Sequence, residues 1–239
     1  MRRVLITGGG TGIGRAIAWA FAKNGDAVTI AGRRIDVLHT AAEGHSITCI
    51  KADVTDEGDI KEIFQSPFDV VVANAGWGSS GKTAKLSLED WNATIAANLT
   101  STFLTFREAL RSDPLSSRLI AIASTASLKG NASVPAYTAA KHGVLGLVRS
   151  IALDVAKKGA TCNAICPGFS DTDLAETAIK GIMERFDMDR ATAAAKVVAN
   201  NPRGDLVSPD EIAKTTLFLA SEGASAINGH ALSVSGGEI

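Results

Sequence analysis

Seven short runs of apolar, often β-branched residues recur along the chain: RVLIT (3–7), AVTIAG (27–32), SITCIKAD (46–53), FDVVVANAG (68–76), RLIAIAS (118–124), ATCNAICPG (160–168) and HALSVSGG (230–237). The stretches between them are longer and carry a helical period. In the first, Ile13, Ile17 and Phe21 fall on one stripe with Ala16 and Ala20 beside it, and Asn24-Gly25 supplies a left-handed stop. Nearly continuous apolar strands alternating with helices predict a parallel sheet covered on both faces. The expectation is a single α/β domain over residues 1–239, a Rossmann-type doubly wound parallel sheet with helices on both faces. One segment breaks the alternation. Residues 171–206 are helical in composition, with Ile179, Ile182, Met183 and Phe186 at helical spacing and Arg185, Arg190, Lys196 and Arg203 among them. The segment follows the C-terminal end of a strand, where open α/β sheets bind ligands. A substrate lid is therefore read ahead of an extra helical pair packed on the domain.

Charge narrows the partners. With 24 basic and 25 acidic residues the net charge is −1, so no basic field recruits nucleic acid and no single-sign block marks an interaction tail. No uninterrupted apolar run approaches a membrane span, and the first strand begins within three residues of Met1, leaving no room for a signal peptide. Three cysteines, Cys49, Cys162 and Cys166, are an odd number, and the pair at 162 and 166 lacks further ligands at zinc spacing. Reduced thiols in a cytoplasmic protein without a metal are expected. His39, His45 and His230 show no ligand spacing and read as surface residues.

The candidate chemistry begins at TGGGTGIG (7–14), which joins the first strand to the first helix. Glycines there permit positive φ and let backbone N–H groups, aided by the helix N-terminus, approach a pyrophosphate. Gly8, Gly10, Thr11, Gly12, Ile13 and Gly14 would form that cradle. Its spacing differs from the general G-x-G-x-x-G fingerprint, and its place between strand and helix gives it weight. At the end of the second strand, where NAD-preferring domains put an acid on the ribose 2′-hydroxyl, stand Gly32, Arg33 and Arg34. A missing carboxylate and two guanidinium groups favour the 2′-phosphate of NADP(H) over NAD(H); the plainer alternative is a solvated loop. Tyr137, the chain's one tyrosine, precedes Lys141 by four residues, so on a helix the phenol and ammonium are neighbours able to move protons. His142 points away from that face by helical geometry and reads as structural.

Taken in order, TGGGTGIG, ANAG (73–76), Asn98, Ser124, YTAAK (137–141) and PGFSDT (167–172) resemble the short-chain dehydrogenase/reductase family over essentially the whole chain. The resemblance implies Tyr137 as catalytic acid/base and Lys141 as its partner, with Lys141 also holding the nicotinamide ribose. Ser124, chosen over Thr125 and Ser127, would polarise the substrate oxygen. Asn98 would complete the tetrad, its backbone carbonyl positioning a water that links the lysine to solvent. Reducing a ketone by hydride transfer creates an alkoxide that needs a proton. Lys141 is expected to lower the Tyr137 pKa by placing positive charge beside the phenolate, and oxidised nicotinamide to add more.

The resemblance further implies that Asp53 and Val54 contact the adenine, that Asn74, Ala75 and Gly76 make the adenosine-side backbone contact, and that Pro167, Gly168 and Thr172 hold the nicotinamide carboxamide. Asp53 as the cap of the following helix is an equal alternative. Ala73 stands where the family usually has a first asparagine, which puts one stabilising side chain near the sheet in question. Residues 201–239 resemble the C-terminal part of 3-oxoacyl-thioester reductases and 3-hydroxyacyl dehydrogenases. The implied function is an NADP(H)-dependent oxidoreductase interconverting a ketone and a secondary alcohol, on a 3-oxoacyl/3-hydroxyacyl-type substrate. Basic lid residues would either meet a carboxylate or carrier phosphate or be solvated helix faces. A homotetramer is implied, paired through the helices holding Asn98 and Tyr137 and through the C-terminal strand. The alternatives are a dehydrogenase of a sugar, polyol, steroid or other alcohol, or a silent NADP(H)-binding regulator; a pure binder needs no acid/base pair.

Overall fold

The computed structural model describes residues 1–78, 80–112, 115 and 117–239. Each of the seven apolar runs forms one strand: β1 Arg3–Thr7, β2 Ala27–Gly32, β3 Ile47–Lys51, β4 Val70–Ala73, β5 Arg118–Ile122, β6 Thr161–Pro167 and β7 Ala231–Val234. They make one parallel sheet in the order β3-β2-β1-β4-β5-β6-β7. Between them run α1 Gly12–Lys23, α2 Ile35–Ala42, α3 Glu57–Ile63, α4 Leu88–Ile95, α5 Ser101–Arg111, α6 Pro135–Val155, α7 Asp173–Phe186, α8 Arg190–Val197 and α9 Pro209–Leu219.

Strand alternation sorts the apolar side chains into two layers, since successive residues point to opposite faces. Val4, Ile6, Val70, Val72, Ile120, Ile122 and Ile165 pack on one face against Ile17 and Phe21 of α1, Leu38 of α2 and Ile212 and Leu219 of α9. Leu5, Val71, Leu119, Ala121 and Cys162 pack on the other against Ile60 of α3, Leu104 and Phe106 of α5 and Val144, Val148 and Ile151 of α6. Both faces are covered, so the central strands can be apolar at every position. The left-handed stop expected after α1 is present, with Gly25 at φ +84°.

Strand order reverses between β1 and β4, which are neighbours in the sheet although two strands intervene in sequence. The chain leaves their C-terminal ends toward opposite flanks and opens a crevice there, the usual ligand position in such sheets.

Residues 171–206 form an excursion whose base is closed by a parallel bridge between Ser170 and Val207. Its helices α7 and α8 bury a small cluster of their own around Ile179, Ala193 and Val197. Two of its five basic residues are already paired. Arg190 donates to Glu176 at 2.8 Å, and Arg203 clamps Glu211 through two bonds of 2.6 and 3.0 Å while also meeting Asp205. Both pairs are solvent-exposed, and Arg185 lies over the Phe186 ring. No helix among the described residues is long and apolar enough to cross a membrane.

Candidate active site

The crevice is a cleft of about 470 Å³. At one end the loop after β1 is shaped by glycines at positive φ, Gly8 at +66° and Gly12 at +50°. A Cβ on Gly14 would lie 2.3 Å from the Gly8 carbonyl oxygen, so that position admits no side chain. Thr11, at the N-cap of α1, makes no side-chain cap bond, and no acidic residue sits in the first turn. The helix therefore presents its amide end and partial positive charge to the cleft without competition, which suits a pyrophosphate.

This cradle is tied to the loop after β4 by two residues. Asn74 donates its side-chain amide to the carbonyls of Thr7 and Gly8 at 3.0 and 3.2 Å. The Thr7 hydroxyl accepts the backbone N–H groups of Asn74 and Ala75 at 3.0 and 3.1 Å. Asn74 thus supplies a side-chain tie between the two loops, and buried Ala73 needs none. Thr7 is a positioning residue that the sequence reading missed, although it opens the glycine motif.

At the adenosine end Gly32, Arg33, Arg34, Asp53 and Val54 line the cleft. Both arginines are exposed, and neither donates a hydrogen bond within the protein among the described residues. Asp53 accepts from the Thr55 hydroxyl at 2.7 Å and its amide at 2.9 Å. These bonds, with the Arg33 charge, hold its carboxyl below the usual range against the opposing effect of burial. It does not cap the next helix; Asp56 does, accepting from Gly58 and Asp59.

The other end holds Asn98, Tyr137 and Lys141. Lys141 is buried, 5% exposed, and donates Nζ to the Ile122 carbonyl at 2.9 Å. Burial pushes its pKa down to about 8. Ser124 does not itself line the cleft, but its hydroxyl acts on the Tyr137 phenol, favouring the phenolate, and accepts the Ala126 amide at 3.1 Å. Its turn role and its place at the tyrosine coexist. Ser127 closes the turn by accepting the Ser124 amide at 3.2 Å.

One expectation is reversed. The Tyr137 phenol is pushed up, not down: burial raises it, the Ser124 bond opposes, and Cys166 adds a smaller rise. The Lys141 ammonium lies 5.5 Å from the centroid of the phenol ring, and its hydrogen bond goes to Ile122. Helical spacing made the two neighbours without aiming the charge at the hydroxyl.

Asn98 is fully buried in a π-helical turn, Ala96–Thr100, between α4 and α5. Its amide donates to the carbonyls of Thr94 and Trp77, while its buried side-chain oxygen has no partner among the described residues. Hydroxyls of Ser101, Thr102 and Thr105 bond back to the carbonyls of Ala97, Asn98 and Ser101, the pattern that loosens and bends helices. A π-turn at such a point is a common mark of a functional position. A Cβ on Gly76 would lie 2.5 Å from the Asn98 side-chain oxygen and 3.7 Å from Lys141 Nζ, so glycine keeps open the space between them.

A family model described as enoyl-(acyl carrier protein) reductase, of the short-chain dehydrogenase type, matches residues 8–238. The chain belongs to the short-chain dehydrogenase/reductase family. It is 34% identical over 259 residues to a 3β-hydroxysteroid dehydrogenase of Mediterraneibacter gnavus, covering 98% of this chain and 93% of that one. It is 31% identical over 247 residues to a 3-oxoacyl-(acyl-carrier-protein) reductase of Aquifex aeolicus, with coverage of 98% and 95%. Among solved structures, a variant of actinorhodin polyketide ketoreductase with NADPH superposes with TM-score 0.93 at 30% identity, covering 99% of this chain and 97% of that one.

Within this short-chain dehydrogenase/reductase cleft, Gly8, Gly10, Thr11, Gly12, Ile13, Gly14, Arg33, Arg34, Asp53, Val54, Asn74, Ala75, Gly76, Asn98, Tyr137, Lys141 and Thr172 all face the cavity. Pro167 and Gly168 do not: Pro167 is buried at the end of β6, and Gly168 donates its amide to Val234. Trp77, 43% exposed, is a cleft residue that sequence reasoning passed over, though it directly follows Asn-Ala-Gly. His142 is exposed, its ring against the Thr138 carbonyl. Among the described residues no cluster of three metal-ligating side chains occurs.

Proposed function

We propose that the chain is an NADP(H)-dependent oxidoreductase interconverting a ketone and a secondary alcohol on a 3-oxoacyl/3-hydroxyacyl-type substrate. The observation that carries this reading is the union of a phenol, Tyr137, with a buried ammonium, Lys141, 5.5 Å from its ring centroid, at the far end of a phosphate cradle. The cradle glycines fit a pyrophosphate, and a bound reduced nicotinamide supplies the hydride. The chain's own residues then handle the oxygen. The Ser124 hydroxyl donates to the substrate carbonyl and polarises it. The Tyr137 phenol, protonated at neutral pH, gives its proton to the alkoxide as that charge develops. Lys141, protonated at neutral pH, offsets the phenolate left behind and can return a proton.

Preference for NADP(H) is supported by Arg33 and Arg34, which leave their donors open at the cleft edge, and by the absence of an acid at Gly32. Acyl-thioester ketones are favoured by the reductase relative from Aquifex aeolicus, and the hydroxysteroid relative keeps ring alcohols on the panel. A homotetramer is supported by exposed apolar side chains on the pairing helices, Phe103 at 42% and Leu153 at 81%, and by the half-buried edge strand β7. A cytoplasmic location is supported by three unpaired thiols.

The test is oxidation of NADPH with an acetoacetyl thioester and a panel of ketones, comparing wild type with Tyr137→Phe. Turnover that falls by about 10²–10⁴ in the variant, with NADPH binding kept, is the expected result. A wild type that binds NADPH and reduces none of these ketones would overturn the reading.

A further inference from the structure

The segment after β4 does more than close the cradle. A Cβ on Gly78 would lie 2.8 Å from Tyr137 Cδ2 and 3.2 Å from its Cγ and Cβ. The backbone here therefore rests directly on the phenol ring, against atoms that cannot swing aside as a flexible side-chain tip would. The same segment is held at two more points. The Trp77 carbonyl accepts the Asn98 amide, and the Gly81 amide donates to the Ser133 carbonyl at 2.7 Å. Ser133 sits two residues before α6 and holds φ +65°, one of two non-glycine residues at positive φ among those described. Such a conformation costs a serine energy and persists when its surroundings enforce it. The fixed points therefore converge on the helix start that carries Tyr137.

We propose that Gly78 is a positioning residue for Tyr137, its bare backbone seating the phenol ring and shielding it from water, with the Gly81–Ser133 bond setting the height of that seat. The groups acting on the phenol are Lys141 on its own helix, Cys166 on β6 and the bonded Ser124. Gly78 adds no charge to this set, so its effect is exclusion of water and ring orientation. Only the kinetic consequence rests on the oxidoreductase reading above.

The chain has a single tyrosine, so tyrosinate absorbance reports Tyr137 alone and needs no substrate. The experiment titrates wild type, Gly78→Ala and Ser133→Val, with circular dichroism at each pH to confirm the fold. In Gly78→Ala the methyl lifts the loop and admits water, so the midpoint should fall toward ~10. With a turned-over ketone, kcat should fall on the order of 10- to 100-fold while NADPH affinity is unchanged. Ser133→Val, which places a β-branched residue at positive φ, should shift the midpoint the same way by less. An unmoved midpoint in folded Gly78→Ala, or a loss of NADPH affinity parallel to kcat, overturns the proposal. If Gly78→Ala does not fold, Ser133→Val decides: a lowered midpoint supports the seat, and an unmoved one overturns it. A wild type without turnover sinks the oxidoreductase reading and leaves the titration to judge Gly78.

Discussion

Gly32→Asp probes the adenosine end of the cleft most directly. A Cβ at Gly32 would meet only Leu38 Cδ2, at 3.5 Å, an ordinary contact, so a side chain fits without rearrangement. The Gly32 carbonyl accepts from the Ala52 amide at 3.0 Å, a bond that does not depend on the side chain. In the wild type, open guanidinium donors on a 2′-phosphate contribute about 1.5–3 kcal/mol, and exposure puts Arg33 and Arg34 at the lower end. That predicts roughly tenfold preference for NADPH. An aspartate instead repels the phosphate by about 4 kcal/mol at 4 Å and an effective dielectric of 20, which solvent and salt reduce to about half in an open cleft. With NADH the carboxylate accepts from the ribose hydroxyls and gains about 1.5 kcal/mol. The NADPH/NADH ratio of kcat/KM should therefore fall by about two and a half decades, crossing to NADH preference. Initial rates with both cofactors at two ionic strengths measure it, and the NADPH penalty should shrink at high salt. A folded Gly32→Asp that keeps the wild-type ratio would refute the placement of the 2′ position at this strand end.

Three further outcomes are expected. In Gly14→Ala the methyl lies 2.3 Å from the Gly8 oxygen and 2.5 Å from the Asn74 amide; thermal unfolding should show about 1–3 kcal/mol lost, and fluorescence titration should show NADPH binding abolished. Burial holds Lys141 near 8 against 10.5 in the unfolded chain, so between those values the unfolded state binds the extra proton and this group's contribution to stability rises with pH. Measured by urea unfolding, Lys141→Met should gain on wild type most below pH 8 and lose about 3 kcal/mol of that relative gain by pH 10.5; a constant difference would contradict the buried ammonium. Leu153→Glu replaces the exposed leucine of α6 with a charge, and sedimentation velocity should show smaller species than the wild type; an unchanged profile would remove that helix from the interface.

The strands were legible because parallel sheets covered on both faces demand apolar residues at nearly every position, a local pattern that β4 and β5 meet with fully buried runs. The glycine cradle was legible because its requirement is steric and local. Asn98 was harder to place, since its π-turn depends on three hydroxyls bonding back along α5 and on an amide reaching across to Trp77. The Trp77 carbonyl lies 21 residues away in sequence, and the i−4 bonds of a helix serine or threonine do not announce where a π-turn opens. Pro167 and Gly168 show the converse: a motif can keep its spacing while the residues at its start are spent on the sheet, the Gly168 amide on Val234.

The ionisation of Tyr137 shows why adjacency is a weaker statement than direction. Four-residue spacing guarantees that the phenol and ammonium share a helix face, and they do. The sign of the phenol's shift depends on which atoms face each other and on how much water each has lost. Here the ammonium lies by the ring and bonds to Ile122, so its help to a phenolate is smaller than its distance suggests. Desolvation then dominates, and the resting site is poised to donate a proton. Reduction consumes a proton, which the protonated phenol supplies. Oxidation needs an added positive charge beside the phenol, which the oxidised nicotinamide carries when bound. The single tyrosine makes this separable: its titration midpoint should lie above ~10 in the free protein and drop when NADP⁺ is added, with no drop on adding NADPH.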